Sequence, residues 1–214
     1  GGLVGEDGAT HHGCYDMAIY RTIPGTVIAA PKDEVELKNM MYSAMMSEKG
    51  PYIIRYPRGY GEGLDWKNAQ FEEMAAGKGE LLFEGEDVAV IAAGPSANRA
   101  VEAAEEMKQE TGKNPAIYNI RYIKPLDLGL LEEVSERFER IVTIEDGTVI
   151  GGLFGAVSEY FAGTGKTLPI SPIAIEDRYL SQGTQNELRE ECNLTKERMK
   201  VIFEKEFKKI SKKD

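Results

Sequence analysis

Cysteine, histidine and tryptophan are scarce in this 214-residue sequence, which contains only two, two and one of them. Cys14 and Cys192 are far apart and fit no metal-binding or redox spacing, so a disulfide framework is not expected and a reducing, cytoplasmic setting is favoured. Long apolar runs are also missing. Stretches such as Val88 to Ala93 are far too short to cross a bilayer, which excludes a membrane-spanning helix.

Positive charge is in deficit, with 26 lysines and arginines against 36 aspartates and glutamates and a net charge of -10. A chain with this balance repels a phosphate backbone, so nucleic acid is not expected as a partner. An anionic small molecule stays possible, because a few nearby arginines outweigh a distant field that salt screens within about 10 Å.

What the sequence does contain is a globular composition, with 42% hydrophobic residues, enough for one large or two small domains. The chain opens on Gly-Gly-Leu-Val-Gly without a methionine, which suggests a fragment entered within a domain.

Apolar runs of strand length alternate with helix-length amphipathic segments along most of the chain. This alternation predicts an α/β fold of two units, with mainly parallel sheets flanked by helices. A glycine-rich, charged stretch after Arg58 is typical of a connector, so the predicted units are residues 1–76 and 77–214. The expected strands are 26–30, 51–57, 87–94, 115–121, 141–144 and 170–175; the expected helices begin near Asp33 and Ser96, cover 128–138 and 153–161, and form a pair within 184–210.

The segment Gly5 to Gly13 contains both histidines of the chain, two carboxylates and three glycines. Glycines let the backbone approach a ligand closely, and a histidine that titrates near neutrality can exchange protons with it. Composition alone favours a simple polar turn over a catalytic loop. A zinc site is weaker still, because two adjacent histidines do not readily share one metal and no third ligand is evident.

The second candidate segment is Arg55-Tyr-Pro-Arg-Gly59, at the carboxyl end of a predicted strand, where open parallel sheets place their ligand loops. A guanidinium there can bind a phosphate or carboxylate through charge-assisted hydrogen bonds. A solvated surface pair is an equally good interpretation. Alternation along the strand makes Arg55 the weaker ligand candidate of the two arginines.

Two other patterns carry less weight. Gly163 to Thr167 lacks the first glycine of a phosphate-binding loop and follows a helix instead of preceding one, so a nucleotide site is excluded. Glu145 and Asp146 follow a strand and could serve as an acid–base pair, but capping a loop or contacting another subunit is the favoured interpretation.

In combination, several segments resemble the 1-deoxy-D-xylulose-5-phosphate synthases, a branch of the thiamine-diphosphate-dependent transketolase-like enzymes. The resemblance covers nearly the whole chain, because the motifs occur in order at family-like spacing. It is carried by residues 2–13, 23–24, 30–34, 50–59, 119–127 and 142–146.

The resemblance implies that residues 1–76 are the later part of a pyrimidine-binding domain and residues 77–214 a transketolase-type carboxyl-terminal domain. His11 would then be catalytic, near the thiazolium carbon of the cofactor. Asp7 would contact a hydroxyl of the acceptor, and Arg58 would bind the phosphate of the aldehyde. The full enzyme would join pyruvate, with decarboxylation, to glyceraldehyde 3-phosphate for isoprenoid and thiamine precursor synthesis, as a homodimer with thiamine diphosphate and magnesium.

The family's diphosphate and magnesium domain has no counterpart in this sequence, and neither does the glutamate that activates the aminopyrimidine ring. We therefore expect the chain alone to bind no cofactor, to hold no metal and to be inactive. Two alternatives stay open. The chain could be the second subunit of a split transketolase, or a non-catalytic assembly module whose loop residues do no chemistry.

Overall fold

The computed structural model describes residues 1–48 and 50–210. After a short 3-10 helix at Gly5–Asp7, the elements follow in chain order: α1 Asp16–Arg21, β1 Val27–Ala29, α2 Glu34–Met46, β2 Tyr52–Ile54, β3 Glu80–Phe83, β4 Val88–Ala92, α3 Ser96–Thr111, β5 Ala116–Asn119, β6 Tyr122–Lys124, α4 Leu128–Arg137, β7 Arg140–Thr148, α5 Leu153–Thr164, β8 Ile170–Ile175, α6 Gln185–Glu191 and α7 Lys196–Ile210.

The larger sheet has five strands in the order β3-β5-β4-β7-β8. Four of them run parallel, and β3 pairs antiparallel with β5 at one edge. Every residue of β4 is buried, as expected for a central parallel strand covered on both faces. Helices α3 and α7 cover one face of this sheet and α4 and α5 cover the other, which gives two apolar cores on its two sides.

The smaller sheet has three strands in the order β2-β1-β6. Strands β1 and β2 are parallel and are joined by α2, which makes a β-α-β unit. Helix α2 begins where the sequence predicts, because the Asp33 side chain accepts a hydrogen bond from the amide of Glu36 and so caps the first turn.

The α/β fold of mainly parallel sheets flanked by helices is confirmed. Strands β3 and β6 were not predicted. Strand β6 has only three residues and pairs antiparallel with β1, so a segment that follows β5 in sequence completes the smaller sheet. The pairing places a strand from the second half of the chain beside two strands from the first half.

Within residues 1–48 and 50–210, no helix combines the length and hydropathy needed to cross a bilayer.

Candidate functional site

The glycine- and histidine-rich segment forms a closed loop. Gly2 and Gly13 exchange two backbone hydrogen bonds, of 2.9 and 2.8 Å, which bring the two ends of the loop together. Inside it, the amides of His11 and His12 both donate to the carbonyl of Gly8, at 3.0 and 3.2 Å. The loop is therefore an ordered turn that holds its side chains in fixed places.

The two adjacent histidines have different surroundings. His12 accepts a hydrogen bond from the amide of Val4 at Nδ1, so its Nε2 carries the proton and donates to the carbonyl of Ser181 at 3.2 Å. Both of its nitrogens are occupied by backbone groups. His11 is exposed, and its Nδ1 contacts the hydroxyl of Thr10 at 2.9 Å. Of the two, His11 is the imidazole with a nitrogen available to a ligand.

Asp7 and Arg58, the two residues predicted to bind substrate, form an ion pair with each other. The pair joins the glycine–histidine loop to the segment that follows β2. The Arg58 side chain is 61% exposed and that of Asp7 is 38% exposed, so an anion from solvent can reach the guanidinium. Because the pair is exposed, it contributes little to stability and can be exchanged for a ligand contact at small cost.

Arg55 has the opposite environment and a structural role. Its side chain is 5% exposed, and its guanidinium donates to Asp16 at 2.8 Å, to Asp146, and to the carbonyls of Gly13 and Asp146. Burial opposes the charge on Arg55, but the two carboxylates outweigh it and raise its pKa. The same guanidinium overcomes the effect of burial on Asp146 and lowers the pKa of that carboxyl.

A cavity of about 350 Å³ opens beside Arg58, between the end of β2, the start of α2 and the start of α3. Three guanidinium groups line it, from Arg58, Arg99 and Arg189. Its other charged lining residues are Lys32, Asp33, Glu34 and Glu62. Lys32 is neutralised locally, because its ammonium lies 3.1 Å from Asp33 and 3.5 Å from Glu36.

Arg99 and Arg189 are both partly buried, and neither forms an ion pair with a carboxylate in the described part of the chain. Arg99 donates to the carbonyl of Leu194 at 3.1 Å and to the hydroxyl of Ser96 at 3.0 Å. Arg189 donates to the side-chain oxygens of Gln185, at 2.9 Å, and Asn186, at 3.3 Å. Burial and the like charge of Arg189 lower the pKa of Arg99. Two neighbouring cations with no carboxylate at ion-pair distance in the described part of the chain make this wall of the cavity suited to a small anion.

Neither arginine was singled out from the sequence. Arg99 lies in the first turn of α3, just after the carboxyl end of β4, and that placement is the signal that could have identified it. Arg189 lies in the short helix α6, far along the chain, where no sequence pattern marks it. It reaches the cavity only through tertiary packing.

Glu145 and Asp146 both make structural contacts, which differ from the loop cap or subunit contact expected from the sequence. Asp146 pairs with Arg55, while the carboxylate of Glu145 accepts the amides of Leu153 and Phe154, at 2.8 and 2.9 Å, and so caps α5. A Cβ atom on Gly152 would lie 2.1 Å from Glu145 Oε2, which explains why glycine precedes the helix. Burial raises the pKa of Glu145 to about 7, against these two hydrogen bonds.

A pH-dependent loss of stability should follow from Glu145. Because its pKa rises on folding from 4.5 to about 7, the folded chain holds this proton more tightly than the unfolded chain. The free energy of unfolding should therefore fall by about 3 kcal/mol as the pH rises from 4.5 to 7, and this contribution should be constant above that range. In Glu145→Gln it should vanish. Urea unfolding at pH 5 and pH 8 measures it, and parallel pH profiles for wild type and variant would contradict the assignment.

Thiamine diphosphate is held in proteins through a magnesium ion, which prefers oxygen ligands. Among the described residues, no group of three histidine, cysteine, aspartate or glutamate side chains could hold a metal ion. The described residues therefore offer no such side-chain cluster for the ion. What they offer is a cationic cavity and an exposed imidazole, which suit a substrate.

Comparison with known proteins matches two domain families to this chain. Residues 1–62 match the family described as transketolase, pyrimidine binding domain, and residues 77–199 match transketolase, C-terminal domain.

Two curated relatives carry the same name. The 1-deoxy-D-xylulose-5-phosphate synthase of Bacteroides thetaiotaomicron is 47% identical over 204 residues, which cover 93% of this chain and 31% of the relative. The synthase of Dictyoglomus turgidum is 41% identical over 189 residues, 88% of this chain and 30% of the relative. The chain thus spans about a third of the length of the curated relatives it matches.

Among solved structures, one described as "Split gene transketolase, inactive beta4 tetramer" superposes with a TM-score of 0.79 at 28% identity, over 92% of this chain and 62% of that one. The two matched domain families, the curated relatives and this solved structure all indicate the same family. The chain belongs to the transketolase family, whose members are thiamine-diphosphate-dependent, and within it is similar to the 1-deoxy-D-xylulose-5-phosphate synthases.

Proposed function

We propose that this chain is the carboxyl-terminal part of a 1-deoxy-D-xylulose-5-phosphate synthase and supplies the acceptor side of its active site. In this proposal residues 1–76 are the later part of the pyrimidine-binding domain and residues 77–214 the carboxyl-terminal domain. The assembled enzyme, a cytoplasmic homodimer, condenses pyruvate, with loss of carbon dioxide, with glyceraldehyde 3-phosphate. Thiamine diphosphate and magnesium are bound by polypeptide outside the residues described here.

One observation carries the proposal: the Asp7–Arg58 pair stands at a cavity lined by two more guanidiniums that have no carboxylate partner. In the proposed complex, the phosphate of the aldehyde takes the place of Asp7 at Arg58, since a dianion offers more acceptor oxygens to the fork. The released Asp7 carboxylate can then accept a hydrogen bond from a hydroxyl of the acceptor. Arg99 and Arg189 balance the remaining charge.

Binding by the chain itself tests this part of the proposal. In a calorimetric titration, glyceraldehyde 3-phosphate should bind to the 214-residue chain and glyceraldehyde should not, because recognition rests on the phosphate. The difference should shrink as salt is added, since ionic contacts are screened. Equal heats from the two aldehydes would refute the phosphate site.

His11 is proposed to act at the reacting carbons, where an imidazole can hold or exchange a proton at an oxygen that gains charge. Its exposed ring on the ordered loop supports the role. His12 differs, because both of its nitrogens bond backbone groups. His11→Ala should lower turnover by about 100-fold or more and leave aldehyde affinity nearly unchanged.

The assay needs a complete enzyme, such as a chimera in which this chain replaces the matching segment of the Bacteroides thetaiotaomicron synthase. Turnover and the Michaelis constant for glyceraldehyde 3-phosphate would be measured for wild type and His11→Ala. Equal damage to both constants would count against a role in the chemical step.

A second candidate is favoured by the structural neighbour, whose name describes a transketolase encoded by split genes. Under this alternative the chain is a subunit that pairs with a separate polypeptide. A third possibility, a non-catalytic assembly module, requires that Asp7, His11 and Arg58 bind nothing. Phosphate-dependent binding of the aldehyde would exclude the third, and the donor used by the assembled enzyme, pyruvate or a ketose phosphate, separates the first two.

A further inference from the structure

Gln185, the first residue of α6, connects three separate segments of the chain next to the cavity through one amide group. Its Nε2 donates to the carbonyl of Arg58 and to the carbonyl of Leu3, the latter at 3.4 Å. Its Oε1 accepts from Nη2 of Arg189 at 2.9 Å. The loop that carries Asp7, the end of β2 and the arginine of α6 thus meet at this side chain.

The orientation of this amide is fixed by its partners. Two carbonyl oxygens require the nitrogen of the amide, and a guanidinium requires its oxygen, so a flipped amide would lose all three bonds. Helix α6 holds the side chain in place through a capping box, in which Thr184 and Glu187 exchange hydrogen bonds of 2.8 and 3.2 Å. Arg189 lies four residues on, on the same face of the helix.

The backbone at the end of β2 is shaped to receive this contact. Gly59 adopts φ +132°, and a Cβ atom there would lie 3.3 Å from Oε1 of Gln185. Glycine accepts that conformation and leaves the space that the amide occupies. Arg58 is therefore held through its own carbonyl, while its guanidinium stays free to exchange Asp7 for a ligand.

We propose that Gln185 is a positioning residue for the anion site: it sets the place of Arg58 through the backbone and the direction of Arg189 through its guanidinium. It makes helix α6 part of the site without itself touching the anion. The identity of the anion rests on the proposed function. The bridge that Gln185 forms between Arg58 and Arg189 rests on the hydrogen bonds alone.

The test uses the ¹⁵N-labelled 214-residue chain, with Gln185→Met as the variant and Gln109→Met, on the exposed face of α3, as the matched control. Without ligand, the amide signal of Gly59 reports the hydrogen bond to the Arg58 carbonyl, and the Nε–H signal of Arg189 reports its orientation. Both signals should move in Gln185→Met and stay in place in Gln109→Met. Titration with inorganic phosphate should then give a dissociation constant about tenfold higher in Gln185→Met, with an unchanged value for the control.

A second variant separates the contact with the backbone carbonyls from the contact with Arg189, and it replaces Gln185→Met if that variant does not fold. Gln185→Glu keeps an acceptor for Arg189 but has no donor for the carbonyls, so the Arg189 signal should persist while the Gly59 signal moves. Unchanged Gly59 and Arg189 signals in folded Gln185→Met, or a wild-type phosphate affinity in that variant, would overturn the inference. If wild-type chain shows no phosphate-dependent shift at all, the proposed function fails, whereas the Gly59 and Arg189 signals decide the bridge separately.

Discussion

Arg55→Met should destabilise the chain by about 3–5 kcal/mol, because it removes the guanidinium that pairs with two largely buried carboxylates. Asp16 and Asp146 would then lose the guanidinium that they share, and two backbone carbonyls would lose their donor. Arg55→Lys should recover only part of this loss, since an ammonium cannot reproduce the planar fork that contacts four acceptors. Urea unfolding at neutral pH measures both variants.

The pH dependence distinguishes an electrostatic loss from a packing defect. In the wild type, Arg55 lowers the pKa of Asp146, so this pair stabilises the fold above the ordinary carboxyl pKa and less as the pH falls through the lowered value. In Arg55→Met that contribution is absent. The deficit relative to wild type should therefore shrink as the pH falls towards 3, and a constant deficit between pH 7 and pH 3 would indicate lost packing instead.

Arg58→Met should have the opposite profile, with little effect on folding and a large effect on binding. Its exposed pair with Asp7 contributes at most about 1 kcal/mol to stability. Loss of one or two charge-assisted hydrogen bonds to a phosphate should weaken binding of glyceraldehyde 3-phosphate by roughly ten- to a hundredfold. Calorimetric titration of the folded variant measures the change.

Two controls sharpen this result. Asp7→Asn removes the competing carboxylate and should raise the affinity for inorganic phosphate. The affinity for the aldehyde should fall less than in Arg58→Met, or not at all, because the hydroxyl of the aldehyde can still bond the amide. Lys38→Met removes a cation that contacts the carbonyls of Trp66 and Ala69, away from the cavity, and should leave affinity unchanged. An Arg58→Met variant that binds the aldehyde as tightly as Lys38→Met would contradict the role of Arg58.

Much of the fold follows from the sequence because its signals are local. Alternating apolar segments indicate the parallel strands and their crossover helices, and Asp33 identifies the start of α2 through the cap it forms. The strands that were missed, β3 and β6, are short antiparallel edges whose partners lie elsewhere in the chain. Pairing of that kind depends on tertiary contacts, and four or three residues carry no periodicity to show it.

The site shows the same limit. Arg55 and Arg58 are three residues apart, and the first is buried while the second is exposed. Strand β2 ends at Ile54, before both of them, so alternation along the strand is not what separates them. Asp7, His11 and Arg58 were recognised from motifs, and the structure brings Asp7 and Arg58 into contact, while the catalytic role of His11 stays a prediction. Arg189 and Gln185 are different, because nothing near them in sequence indicates that α6 returns to the end of β2.

We propose above that this chain supplies the acceptor side of a synthase whose cofactor is bound by other polypeptide. The most direct measurement is formation of 1-deoxy-D-xylulose 5-phosphate from pyruvate and glyceraldehyde 3-phosphate, by the 214-residue chain alone and by the chimera with the Bacteroides thetaiotaomicron enzyme. We expect no product from the chain alone, product from the chimera, and a strong loss in the chimera carrying Arg58→Met. Product from the chain alone, or a chimera that accepts ketose phosphates in place of pyruvate, would contradict the account.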